Sequence, residues 1–201
     1  MPGLPDRSEI SPRLLVITVS GRIAARGGAK AWLIIDDTAL PKKGKASVGV
    51  APQYATALGK NANCQTLVSM TLASGEVPVM LSLRLFLPES WTSDTARMTR
   101  AGVPEPFQSY RTKPEIAIEE IDRAIAAGVR FGCVLADAGY GLSAPFRQAL
   151  SARDLCWAVG IPRHQKVYPA DVQLIFPVAD RGRPRVPPEV RLWRGDGCRG
   201  R

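Results

Sequence analysis

The chain has 201 residues, enough for one domain with its own core. It is 45% hydrophobic and 22% charged, the composition of a soluble globular protein rather than of a disordered or membrane-embedded one. The formal net charge of +9 favours an anionic partner. That charge is uneven: residues 1–30 hold 5 basic and 2 acidic side chains, and residues 180–201 hold 7 and 3. The middle is only about +2, so local placement of charge matters more than the total.

Residues 1–30 have no clear period and read as a lead-in. "RLLVITV" within them is too short for a membrane span and lacks signal-peptide flanks. "AWLIID" (31–36) is an isoleucine-rich apolar run, which predicts a buried strand. It ends in two aspartates and a threonine and runs into a lysine cluster, "DDTALPKKGK". Residues 43–63 are rich in Gly, Lys and Asn and predict an extended loop. Residues 64–88 hold two strand-like runs split by "SGE", a hairpin signal. Residues 90–110 are polar and punctuated by prolines. "TKPE" then predicts a helix N-terminus, with Thr112 as N-cap, Glu115 completing a capping box and Pro114 in the first turn. Ala117, Ile121, Ala124 and Ile125 fall on one face of that helix, and Gly128 suits its C-terminal end. "RFGCVLAD" (130–137) predicts a second buried strand, "SAPFRQALSAR" (143–153) a short helix, and "LCWAVGIP" (155–162) a third strand. From Arg181 the chain is crowded with Arg, Gly and Pro and reads as a basic, disordered tail. Three segments follow: a lead-in over 1–30, one domain over 31–180 and a tail over 181–201. The element order implies a mixed α/β sheet, antiparallel at its start and parallel afterwards.

Four cysteines, Cys64, Cys133, Cys156 and Cys198, contain no CxxC pair. That argues against a zinc site and fits a reduced, cytoplasmic setting. The single histidine, His164, removes most histidine-based metal sites and weakens any Ser-His-Asp triad. Trp91 reads as a packing residue, and Gly139 and Gly141 as suppliers of turn conformations.

Two strands end in carboxylate, at "LIIDDT" and "CVLADAGYG". In α/β sheets ligands gather at the C-terminal ends of strands. If the two strands are neighbours, Asp36 or Asp37 comes close to Asp137. Carboxylates so placed repel each other unless a proton or cation lies between them. Hard oxygen donors suit Mg²⁺ or Mn²⁺, and such ions activate water for attack at phosphorus. Lys42, Lys43, Lys45 and Lys60 lie nearby in sequence and can meet phosphate oxygens. The plainer alternative is that strand-end aspartates cap turns and the lysines are a solvated loop.

The stretches "WLIIDDTALPKKGKASVGVAPQYA", "GKNANCQTLVSMTLASGEVPV", "LRLFLPESWTSD", "TKPEIA" and "VLADAGYG" resemble the catalytic domain of bacterial insertion-sequence transposases of the DDE superfamily. The resemblance runs from about Trp32 to Pro184. It implies a ribonuclease H-like fold, a mixed sheet with an antiparallel hairpin, then parallel strands and flanking helices, incomplete at the C-terminus. It also implies cleavage and strand transfer of DNA by an Asp-Asp-Glu triad around Mg²⁺ or Mn²⁺. The Asp before Thr38 corresponds to the first carboxylate, so Asp37 rather than Asp36 takes that role. Strand alternation agrees that only one of the pair faces the metals. Asp137 corresponds to the second. The third, a Glu on a downstream helix, finds no match: Glu189 lies in "VPPEV", where two prolines oppose a helix. The expectation is therefore a truncated transposase of impaired activity, nucleoid-associated, with DNA as partner and a homodimer as in transposition complexes. The rival readings are a non-catalytic DNA-binding remnant and a metal-dependent phosphohydrolase.

Overall fold

The computed structural model of the protein describes residues 16–18, 27–55, 58–75 and 77–166. The chain divides into two compact units, Met1–Pro162 and Arg163–Arg201, and the architecture below belongs to the first. The expected basic tail lies outside the described residues.

Among the described residues seven strands form one mixed sheet. They are β1 (Val16–Thr18), β2 (Trp32–Pro41), β3 (Ala51–Ala55), β4 (Lys60–Ala73), β5 (Val79–Phe86), β6 (Cys133–Ala136) and β7 (Trp157–Val159). The order is β1-β5-β4-β2-β6-β7, with β3 paired to the start of β4. Strands β1 to β5 pair antiparallel, whereas β2–β6 and β6–β7 are parallel. This arrangement is compatible with the ribonuclease H-like fold.

The hairpin around "SGE" forms as β4–β5. Two stretches differ from the sequence-based expectation. Strand β2 does not stop at the aspartates but runs to Pro41, because β4 supplies a ladder partner for every residue from Trp32 to Pro41. The supposed loop over 43–63 contains β3 and the first turns of ladder in β4. Its Gly and Lys content hid a hairpin whose support comes from pairing rather than from an apolar face. The lead-in likewise contributes β1, paired with β5.

Residues 90–110 also hold more structure than their prolines suggested. Helices α1 (Glu89–Thr92) and α2 (Thr95–Arg100) precede a 3₁₀ turn at Glu105–Phe107. They close a small second core of Val50, Leu87, Trp91, Met98 and Val103. Trp91 packs there as expected, 1% exposed, and its Nε1 donates to Val50 O at 2.8 Å.

Helix α3 (Lys113–Ala126) has the predicted capping box: Thr112 accepts from Glu115 N, and the Glu115 side chain accepts from Thr112 N. It ends at Ala126, and after the C-cap Ala127 comes Gly128, whose φ of +80° suits glycine; Val129 N returns to Ala124 O in a Schellman closure. Ile116, Ala117, Glu120, Ile121 and Ala124 face the sheet. Ile125, expected on that face, is exposed, and Glu120 is buried instead. The main core lies between α3 and one sheet face: Leu33 and Ile35 of β2, Val68, Met70 and Leu72 of β4, Val134 of β6. Helices α4 (Ala138–Gly141) and α5 (Ala144–Ser151) follow β6 and complete it with Tyr140, Phe146 and Leu150.

Among the described residues no helix is long and apolar enough to cross a membrane.

Candidate active site

Side chains alternate along a strand, so Leu33, Ile35 and Asp37 of β2 share a face. Leu33 and Ile35 are in the core under α3. Asp37 is the next residue on that face, at the rim where the core opens, and is half-buried. Asp36 points to the other face and is exposed, and its Oδ1 accepts from Asp37 N at 2.7 Å. The parallel register of β2 with β6 pairs Ile35 with Ala136, the residue before Asp137. The two carboxylate-bearing strands are therefore adjacent and run in the same direction. Asp37 and Asp137 line one open cavity of about 360 Å³.

Asp137 is the N-cap of α4. Its Oδ1 accepts from Gly139 N at 3.0 Å and Tyr140 N at 3.3 Å. Both bonds fall on one oxygen. Gly139 and Gly141 are helical residues rather than turn formers. Gly141 is required by proximity: a Cβ there would stand 1.8 Å from Gly160 O, where α4 meets the end of β7. That close approach sets the position of Asp137 and Tyr140.

Two further side chains converge on Asp37. Lys113 Nζ, in the first turn of α3, donates to Asp37 Oδ2 at 2.6 Å. Tyr140 Oη donates to Asp37 Oδ1 at 2.6 Å. Tyr140 is 3% exposed. Burial, then the negative charge of Asp37, its hydrogen bond, and the charges of Asp137 and Asp36 all drive the phenol pKa well above its usual range. The phenol therefore stays protonated and acts as a fixed donor. Phe86 and Tyr110 form an aromatic wall of the same cavity, in edge contact with centroids 6.5 Å apart.

The lysines singled out in the sequence are elsewhere. Lys42, Lys43 and Lys45 follow the end of β2 and Lys60 opens β4, and none lines the cavity. From Asp37 to Pro41 the strand advances about 13 Å at roughly 3.3 Å per residue. Asn63 Nδ2 pins the lysine loop through Lys42 O (2.8 Å) and Gly44 O (2.9 Å). The cation beside the carboxylate is Lys113, which the sequence reading treated only as part of a capping motif. A signal existed: a lysine in the first turn of a helix opposes the macrodipole and calls for a nearby acid.

The donor chemistry fits a divalent cation. Asp37 and Asp137 are hard oxygen donors on one cavity, and an Asp137 oxygen is left outside the cap bonds. Among the described residues no group of three or more His, Cys, Asp or Glu is placed to hold a metal. Cys64, Cys133 and Cys156 are free thiols. Burial, with the neighbouring Cys156, raises the Cys133 thiol above its usual pKa.

Over residues 7–196 the chain matches a family described as DDE superfamily endonuclease. No curated protein and no solved structure matches it.

Proposed function

Because this chain belongs to the DDE superfamily of endonucleases, we propose that the Asp37–Asp137 cleft is its site of phosphodiester cleavage and strand transfer in DNA, as in an insertion-sequence transposase. Enzymes of this superfamily generally use divalent metals and act on DNA. The observation that carries the assignment to these residues is the parallel β2–β6 register, which brings both carboxylates to one cavity.

Asp37 and Asp137 are the residues to hold Mg²⁺ or Mn²⁺. The bound ion supplies Lewis-acid polarisation of the nucleophile and of the phosphate oxygens. Tyr140 fixes the orientation of Asp37 through Oδ1. Lys113 places a positive charge in the cavity where phosphate charge must be met. Phe86 and Tyr110 offer flat apolar surface to a sugar or base. Lys42, Lys43, Lys45 and Lys60 are assigned to the DNA backbone outside the cavity, by salt-dependent contact. Two acids line the cavity among the described residues, against the family's three, so weak metal binding and slow turnover are expected. Two copies acting together on DNA ends belong to the same reading.

The test is nicking of supercoiled plasmid with Mg²⁺ or Mn²⁺. Cleavage should need metal and should be lost in Asp37→Asn and in Asp137→Asn. Metal-dependent cleavage that survives both substitutions would remove the cleft from the reaction. DNA binding that is salt-sensitive, with no cleavage under any metal, would instead favour a binding remnant.

A further inference from the structure

We propose that the Lys113 ammonium occupies the cation position on Asp37 Oδ2 in the metal-free protein, and that it leaves this oxygen when a divalent cation binds. The inference rests on the proposed function, since it takes Asp37 as a ligand. It makes Lys113 a positioning residue of the site.

Asp37 has two oxygens, and each has one partner. Tyr140 holds Oδ1 with its hydroxyl at 2.6 Å. Lys113 holds Oδ2 with a full charge at 2.6 Å. A divalent cation on Oδ2 is disfavoured while an ammonium stands there at contact distance, because the two positive charges repel at short range. Tyr140 is 3% exposed and anchored by packing, so it is the less movable partner. The Lys113 and Asp37 side chains are 29% and 25% exposed, and the lysine is tethered only at the start of a helix.

The position of Lys113 gives it reason to move. It stands at the positive end of α3, where a cation is unfavourable without an acid beside it. Once Asp37 is taken by a metal, the acid left in that first turn is Glu115, whose carboxylate is engaged in the Thr112 cap. A second resting place is close: Nζ already lies 5.6 Å from the Phe86 ring centroid, within cation–π range on the cavity wall. From there the ammonium still faces the cavity and can meet an anionic group. An ordinary structural ion pair would stay in place, and metal would add elsewhere.

The experiment uses the full chain and Mn²⁺ alone, without DNA. Free Mn²⁺ is followed by electron paramagnetic resonance, and Lys113 accessibility by acylation with an N-hydroxysuccinimide ester and peptide mass spectrometry. Lys113→Met should bind Mn²⁺ about tenfold more tightly than wild type, because the competing charge is gone. Lys113→Gln, which keeps a polar end, should also bind more tightly, and circular dichroism checks that both variants fold. In the wild type, saturating Mn²⁺ should raise Lys113 acylation several-fold, a change that a fixed ion pair does not give. Equal or weaker Mn²⁺ binding in both variants, with Lys113 acylation unchanged by metal, overturns the exchange. If Asp37→Asn still abolishes Mn²⁺ binding in that case, the metal site itself stands. Undiminished Mn²⁺ binding in Asp37→Asn overturns both.

Discussion

Helix α3 covers two acid–base clusters on the same sheet face, and they differ in almost every respect that matters. Asp37, Val68 and Arg84 stand in one cross-strand row, so the clusters are about 10 Å apart at the usual strand spacing. In the inner cluster Glu120 is 2% exposed and both its oxygens are bonded: Oε2 by Ser82 Oγ at 2.7 Å, Oε1 by Arg84 at 3.2 Å and Arg123 at 2.6 Å. Arg84 also bonds Glu119 and lies 5.4 Å from the Phe107 ring centroid. In the rim cluster Asp37 has one strong cation and one hydroxyl, and it faces an open cavity. Glu120 at the centre of the inner network is closed off from solvent, whereas the rim pair is partly exposed on an open cavity. Burial with full satisfaction makes a carboxylate structural, and partial exposure beside a cavity leaves it exchangeable.

The largest effect expected from breaking this contrast is at Glu120. Glu120→Ala removes the acid shared by Arg84, Arg123 and Ser82 and leaves a buried guanidinium with Glu119 alone. It should cost about 3 kcal/mol of folding stability, measured by urea denaturation. A loss below 1 kcal/mol would mean the inner cluster is as loosely held as the rim.

A smaller effect is expected in acid. Burial pushes the Glu119 carboxyl up, but bonds and charge from Arg84 and then Arg111 outweigh it and hold the pKa below its usual 4.5. The folded pKa is thus below the unfolded one. Its contribution to stability is fully present above about pH 4.5 and disappears as the pH falls through the lower folded value. Glu119→Gln should flatten the acid limb of a stability–pH curve. An unchanged limb would assign the acid sensitivity to other carboxylates.

The smallest change in stability should come from the rim. Asp37→Asn removes a partly exposed ion pair and keeps an acceptor for Tyr140, so it should cost less than about 1 kcal/mol by the same denaturation. The same variant should lose metal-dependent nicking. A large stability loss would make Asp37 a structural residue like Glu120 and collapse the contrast.

Local features were legible in the sequence wherever they depend on neighbours a few residues apart. The capping box at Thr112 and Glu115, the "SGE" hairpin, and the apolar strands leading to Asp37 and Asp137 all formed. Strand alternation, with its period of two, also put Asp36 and Asp37 on opposite faces, but the preference for Asp37 came from the family resemblance and not from that period. The hairpin of β3 was missed because its residues carry no apolar period and depend on β4 for their hydrogen bonds. Glu120 was missed because a charged residue on a helix is ordinarily placed in solvent, and only the arginines facing it from other elements and positions make its burial tolerable.

By itself, then, the sequence determined the apolar strands that carry Asp37 and Asp137, the β4–β5 hairpin, and where α3 begins. Tertiary structure alone decided what surrounds those aspartates. Lys113 is 76 residues from Asp37 in the chain, and Tyr140 is 103 residues from it. No periodicity or cap links residues so far apart. Their meeting is set by the β2–β6 register, by α3 lying across the sheet, and by the Gly141–Gly160 contact that seats α4. The sequence placed the positive charge of the site on the lysines that follow Asp37 directly. The fold carries those lysines along β2 away from the cavity, and supplies the cation from the start of a helix instead.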